Sequence, residues 1–216
     1  LPSPGSNPQK FVAANGLVYF SSLSYVYSPG PVGGMDVFQT DGTFSSTRRA
    51  ERINGRYHSQ PVDMANHNGQ LFISGTASHN NNFDGYELYK ISAAGATQVK
   101  VKNINTAFDQ AGSVPNNIRS TGQFLYFSAN NVTNGNELWK TDGTEAGTVM
   151  VKDINPSGAS NPRNLVNVNG ILYFTADNAI DGIELWKSDG TDAGTVMIKN
   201  INPGGDSNPA FLTNVN

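Results

Sequence analysis

The stretch "ELWKTDGTEAGTVMVKDINPSG", Glu137 to Gly158, returns almost letter for letter as "ELWKSDGTDAGTVMIKNINPGG", Glu184 to Gly205. Working outward, an X-Pro step recurs at Pro8, Pro61, Pro115, Pro162 and Pro209, at spacings of 53, 54, 47 and 47 residues. A turn dipeptide follows in each of the first four copies: Asn15-Gly16, Asn68-Gly69, Thr121-Gly122 and Asn169-Gly170. Self-similarity at such a period marks one supersecondary unit repeated along the chain. The copies span approximately residues 7–59, 60–113, 114–160 and 161–207, and a fifth opens with "NPAFLTNVN" at 208–216.

Copy four parses into strands. "RNLVNV" leads to Asn169-Gly170, whose positive φ angles suit a type I′ hairpin turn, and "ILYFTA" returns from it. A turn at Asp181-Gly182 precedes "IELWKS", and the loop "DGTDAG" precedes "TVMIKNI". The second and fourth strands read as nearly continuous apolar runs, which suit sheets covered on both faces. Four strands per unit at a period near 47 predict an all-β chain, a β-propeller of four four-stranded blades plus the first strand of a fifth repeat. The blades either close alone as one repeat domain over 1–216 or form part of a larger ring.

"GNELWKTDGTEAGTVMVKDINPSG" and "GIELWKSDGTDAGTVMIKNINPGG" resemble the bacterial ELWxxDGT repeat family of large exported or cell-surface proteins. Copy one, "GMDVFQTDGT", matches less well, and copy two, "GYELYKISAAGAT", lacks the Asp-Gly-Thr. The resemblance implies an extracellular or cell-surface, propeller-like repeat protein. It brings no catalytic residue with it.

Charged residues make up only 14% of the 216, with a net charge of -3, so there is no basic face for phosphate backbones and nucleic acid is excluded as a partner. There are no cysteines, which removes thiol nucleophiles, thiolate metal sites and disulfides. The apolar runs are strand-sized, such as Ile171 to Phe174, so membrane insertion is not expected. "LPSPGSNP" shows no signal-peptide pattern, as a trimmed or excised chain also would not. No G-x-S-x-G, Walker or H-E-x-x-H signature occurs.

The repeated residues read as structural. Phe38, Tyr89, Trp139 and Trp186 hold one aromatic position and are expected to pack between neighbouring sheets. Asp36, Glu87, Glu137 and Glu184 lie two residues earlier on the same strand face, placed to accept an indole or backbone N–H. Asp41, Asp142 and Asp189 precede Gly-Thr and are expected to accept the backbone N–H two residues on, as a turn device. Asp177 and Asp181 in "DNAIDGIE" are the weak candidates for a metal. Ala179 and Ser188 break the calcium-loop pattern, so calcium is the one cofactor considered and only through a looser oxygen site.

Function is expected where the copies differ. "SLSYVYSPGPVGG" (Ser22 to Gly34) and "TASHNNNFDG" (Thr76 to Gly85) read as long loops, with Tyr25, Tyr27, His79 and Phe83 as candidate ligand-binding residues. The three histidines, His58, His67 and His79, read as solvated loop residues rather than a metal set. Arg48 and Arg49 replace apolar residues of the fourth strand and are expected on a solvated edge. Together these features lead to the expectation of a non-catalytic extracellular module mediating binding or adhesion to carbohydrate or a surface protein. A structural subunit of a surface layer or filament is the alternative, and a propeller hydrolase the third reading. Self-association or a longer parent chain would complete the ring.

Overall fold

The computed structural model describes residues 6–27, 31–50, 59–79, 82–91, 98–106 and 112–215, with the backbone alone at 25–27, 31–33, 77–79 and 82–84. The described residues hold sixteen strands and no helix. They form four antiparallel four-stranded sheets, each a simple meander. Sheet one is β1 (Gln9–Ala14), β2 (Leu17–Tyr27), β3 (Pro31–Thr40) and β4 (Arg48–Arg49). Sheet two is β5 (Asp63–His67), β6 (Gln70–His79), β7 (Asn82–Ile91) and β8 (Gln98–Lys102). Sheet three is β9 (Asn116–Ser120), β10 (Leu125–Asn131), β11 (Gly135–Thr141) and β12 (Val149–Lys152). Sheet four is β13 (Arg163–Val168), β14 (Ile171–Asp177), β15 (Ile183–Ser188) and β16 (Val196–Lys199).

The turn chemistry explains the meander. Asn15-Gly16, Asn68-Gly69 and Asn169-Gly170 have positive φ at both residues, which lets a two-residue turn match the twist of the strands it joins. In copy three only Gly122 has positive φ, and Thr121 closes that turn by donating its N–H to the Phe124 carbonyl at 3.0 Å.

The chain divides into two compact units, Leu1–Val101 with Phe108–Val114, and Lys102–Ala107 with Pro115–Asn216. In the first, Tyr19, Val37 and Ala50 of copy one pack with Met64, Ile73 and Ile91 of copy two. In the second, Tyr126, Leu138 and Val151 of copy three pack with Leu165, Phe174 and Trp186 of copy four. One face of a sheet therefore meets the opposite face of the next, and alternation along each strand supplies both faces.

Four sequence expectations change. The two supposed long loops are mostly strand: β2 continues to Tyr27, paired with Pro31, and β6 continues to His79, paired with Asn82. Backbone pairing carries on where Pro and Gly had marked a loop, because a hairpin lengthens without cost to the register established nearer the core. The fourth strands are not covered on both faces, since β12 buries only Val151 and β16 buries nothing; an outermost strand has one neighbour. The opening of the fifth copy forms no strand among its described residues, and Phe211 is 97% exposed. Each earlier first strand pairs with the strand after its turn. Finally, His67 is buried, edge-on to Phe72, and not a solvated loop residue, because it ends β5 facing the sheet interior. His58 lies outside the described residues.

Candidate functional site

The repeated acids are the most chemically pointed groups of the fold. Asp36, Glu87, Glu137 and Glu184 sit on the third strands and are fully buried. Their partners are not the indoles. Trp186 donates its Nε1–H to the Ala176 carbonyl at 3.1 Å instead. Each acid reaches the segment that opens the next copy. Glu137 accepts the Ser160 N–H at 2.8 Å, the Ser160 hydroxyl at 2.6 Å and the Ile154 N–H at 3.0 Å. Glu184 accepts the Ser207 hydroxyl at 2.6 Å and the Ile201 N–H at 3.0 Å. Glu87 accepts the Ser113 N–H at 3.1 Å and its hydroxyl at 2.6 Å. Asp36 accepts the Ser59 N–H at 3.0 Å and, with a shorter side chain, draws in the Ser24 hydroxyl and Arg49 Nη1 at 3.4 Å.

These serines escaped the sequence reading, although the signal was present. Ser6, Ser59, Ser113, Ser160 and Ser207 each stand two residues before an aligned proline. Three of these serines also bond forward through their carbonyls: Leu23 N–H donates to Ser6, Thr76 N–H to Ser59 and Asp177 N–H to Ser160, each at 2.9 Å. The Ser-x-Pro segment is thus a lock. Hydroxyl and N–H together hold the acid of the previous copy at Ser113 and Ser160, the N–H does so at Ser59 and the hydroxyl at Ser207. The carbonyls of Ser6, Ser59 and Ser160 hold the second strand of their own copy.

A serine 2.6 Å from a glutamate invites comparison with a nucleophile and base. Ser160 and Glu137 are both fully buried, and no histidine is among their described hydrogen-bond partners to relay a proton. A substrate atom has no path to them, so the pair binds structure and not substrate.

The two acids of the second unit titrate in opposite directions. Burial pushes the Glu137 carboxyl up, and the hydrogen bonds from Ser160 and Ile154 only partly oppose it. At Glu184 burial also acts upward, but the bonds from Ser207 and Ile201 outweigh it and hold the group below the usual range. Protonation of Glu137 therefore favours the folded state as pH falls through its raised value. Glu184 contributes stability that is full above the usual carboxylate range and is lost as pH falls through its lowered value. Carboxyl carbon NMR should show Glu137 gaining its proton at higher pH than Glu184. The reverse order would refute this account of the lock.

The Asp-Gly-Thr loops repeat one geometry. Asp41 Oδ1 accepts the Thr43 N–H and hydroxyl at 2.9 and 2.7 Å, and Asp142 and Asp189 do the same with Thr144 and Thr191 at 2.8 and 2.7 Å. The Ser46 hydroxyl, followed by the Thr43 hydroxyl and N–H, holds the Asp41 carboxyl low, and the Thr191 N–H and hydroxyl hold that of Asp189 low.

Among the remaining candidates, Asp181 spends both oxygens on the Asn200 and Asn178 amides, at 2.7 and 2.8 Å, and Asp177 accepts the Ala179 N–H at 2.7 Å. Copy three carries the same link with the groups exchanged, Asn134 donating to Asp153 at 2.7 Å. Among the described residues no three metal-ligating side chains converge. Tyr25 pairs through its backbone with Gly33, Tyr27 with Pro31, and Phe83 with Ser78; the side chains of these residues and of His79 lie outside the described ones. Arg48 and Arg49 are exposed on β4. Phe38 is half-buried, while Tyr89, Trp139 and Trp186 are buried.

No family model matches the chain, and no curated protein does. Similar folds occur among solved structures. One is the AtxE2 isopeptidase, at 14% identity over 81% of this chain and 25% of that one, TM-score 0.48. A second is a puromycin hydrolase mutant complexed with PGG, at 13% identity over 92% of this chain and 30% of that one, TM-score 0.49. A third is an alpha-L-arabinofuranosidase from Clostridium thermocellum, at 14% identity over 89% of this chain and 71% of that one, TM-score 0.39. The chain spans about a quarter of the isopeptidase's length. These neighbours are named as an isopeptidase, a hydrolase and an arabinofuranosidase, contrary to the expectation of a non-catalytic binding or adhesion module with its surface-layer alternative. The likeness transfers no residue and no substrate to this chain.

Proposed function

We propose that these repeats are blades of a β-propeller and serve as its frame, with any reacting group carried at positions where the copies differ. The acid–serine lock is the observation that supports the reading: every repeated buried carboxylate is committed to the opening segment of the next copy. Such carboxylates are unavailable as general acids or bases, which must reach a substrate proton. The frame leaves hydrolysis open at non-repeated residues, and hydrolysis is the activity to assay.

The chain would be incubated with aryl glycosides and peptide amides, in parallel with Asp189→Ala. That variant removes the acceptor of the Thr191 N–H and hydroxyl, so its melting temperature should fall. Any hydrolysis found should keep its kcat/KM per folded molecule. Loss of turnover at an unchanged melting temperature would overturn the frame reading, and so would an unchanged melting temperature by itself.

A further inference from the structure

Every opening segment runs Ser-x-Pro, and its middle residue takes a left-handed backbone. Asn7, Gln60, Val114, Asn161 and Asn208 have φ of 43°, 40°, 45°, 49° and 45°. The lock imposes this, because the N–H of that residue donates to the carbonyl just before the buried acid. Gln60 donates to Met35 and Val114 to Tyr86 at 2.9 Å, and Asn161 to Asn136 at 3.0 Å. Asparagine takes a left-handed backbone at small cost, whereas a β-branched residue is an outlier there. Val114 nonetheless holds the position in copy three. Its side chain is not buried in return, since the residue is 44% exposed.

The residue it docks on has changed with it. Where copies three and four meet, Asn136 Nδ2 donates to Asn161 Oδ1 at 3.3 Å, so two amides satisfy each other. Where copies two and three meet, the same two positions are Tyr86 and Val114, a phenol ring and an aliphatic side chain. The tyrosine is held fast. An added Cβ at Gly112 would collide with the Tyr86 backbone, and the half-buried Tyr86 donates its hydroxyl to Gln60 Oε1 at 3.0 Å. Gln60 is itself the middle residue of copy two's opening segment. It is exposed, and its Nε2 donates to no described residue.

We propose that Tyr86, Val114 and Gln60 form a subsite for a neutral saccharide. This rests on the reading that function sits where the copies differ. The phenol ring and the valine methyls offer an apolar surface to the C–H face of a sugar ring, while the Gln60 amide and the Tyr86 hydroxyl meet its hydroxyls. None of the three is charged, so an ionic ligand gains no counter-charge from them. A purely apolar ligand would cover the Gln60 amide without giving it a partner. The backbone strain at Val114 is retained for what its exposed side chain touches.

An array of neutral glucan, xylan, mannan and galactan oligosaccharides, with Leu- and Phe-rich peptides beside them, tests this on the full chain. The unaltered chain should bind at least one saccharide. Val114→Asn restores the residue found at this place in copies one and four, so its melting temperature should rise by about 2–4 °C. Its Kd for that saccharide should rise about tenfold. Asn161→Val, the reverse change in copy four, should lower the melting temperature and leave binding as it was. No saccharide bound, peptides bound in their place, or full binding by Val114→Asn overturns the proposal. So does a Val114→Asn variant that melts no higher, since no strain would then be held there. Asp189→Ala keeps the two readings apart. It should bind the saccharide as the unaltered chain does, and a loss confined to it strikes the frame reading, whereas a loss confined to Val114→Asn supports the subsite.

Discussion

Replacing Glu137 with leucine should lower the melting temperature by roughly 10 °C or more, at about 2–4 °C per kcal/mol for a chain of this size. The side chains are similar in volume, so the change isolates the hydrogen bonds. The Ser160 N–H, the Ser160 hydroxyl and the Ile154 N–H would all lose their acceptor while both residues stay buried. A buried donor left unsatisfied costs about 1–3 kcal/mol, so three exceed the relief of no longer burying a carboxylate. Ser160→Ala removes one donor together with its need for a partner and should cost only about 1 kcal/mol. Thermal unfolding of the two variants provides the check. A leucine variant that melts with the parent would mean that the lock is not what joins copy three to copy four.

Trp186→Ala should cost about 3–5 kcal/mol, the usual range for emptying a buried aromatic site. Trp186 fills the contact between sheets three and four, and its truncation also strips the Ala176 carbonyl of its donor. The same substitution at Phe38, the equivalent position in copy one, should cost about 1 kcal/mol, since a half-buried ring loses less surface to water on folding. Denaturant unfolding of the dilute chain compares the two. Equal losses would show that Phe38 is as well covered as Trp186, contrary to its exposure.

Those two residues show how far sequence reading reached. The four strands of each copy and the Asn-Gly turns were legible, because each depends on neighbours a few residues away. The lock was not. Ser160 meets Glu137 only after the chain has run along a fourth strand and turned back, and serine before proline in a loop is ordinary turn chemistry. Nor could a pattern of residues tell a loop from a lengthened hairpin. Pro31 and Gly33 read as loop residues, yet pairing continues to Tyr27, since proline is tolerated at the first residue of a strand.

What the sequence by itself determined is the unit: four strands, their turns, and a frame repeated with little change. This is so because local backbone preference and side-chain alternation act within a single copy. Which groups hold one copy to the next only the tertiary structure decided. Those depend on distances between residues far apart in the chain, and the repeated carboxylates change meaning once their serines stand 2.6 Å away.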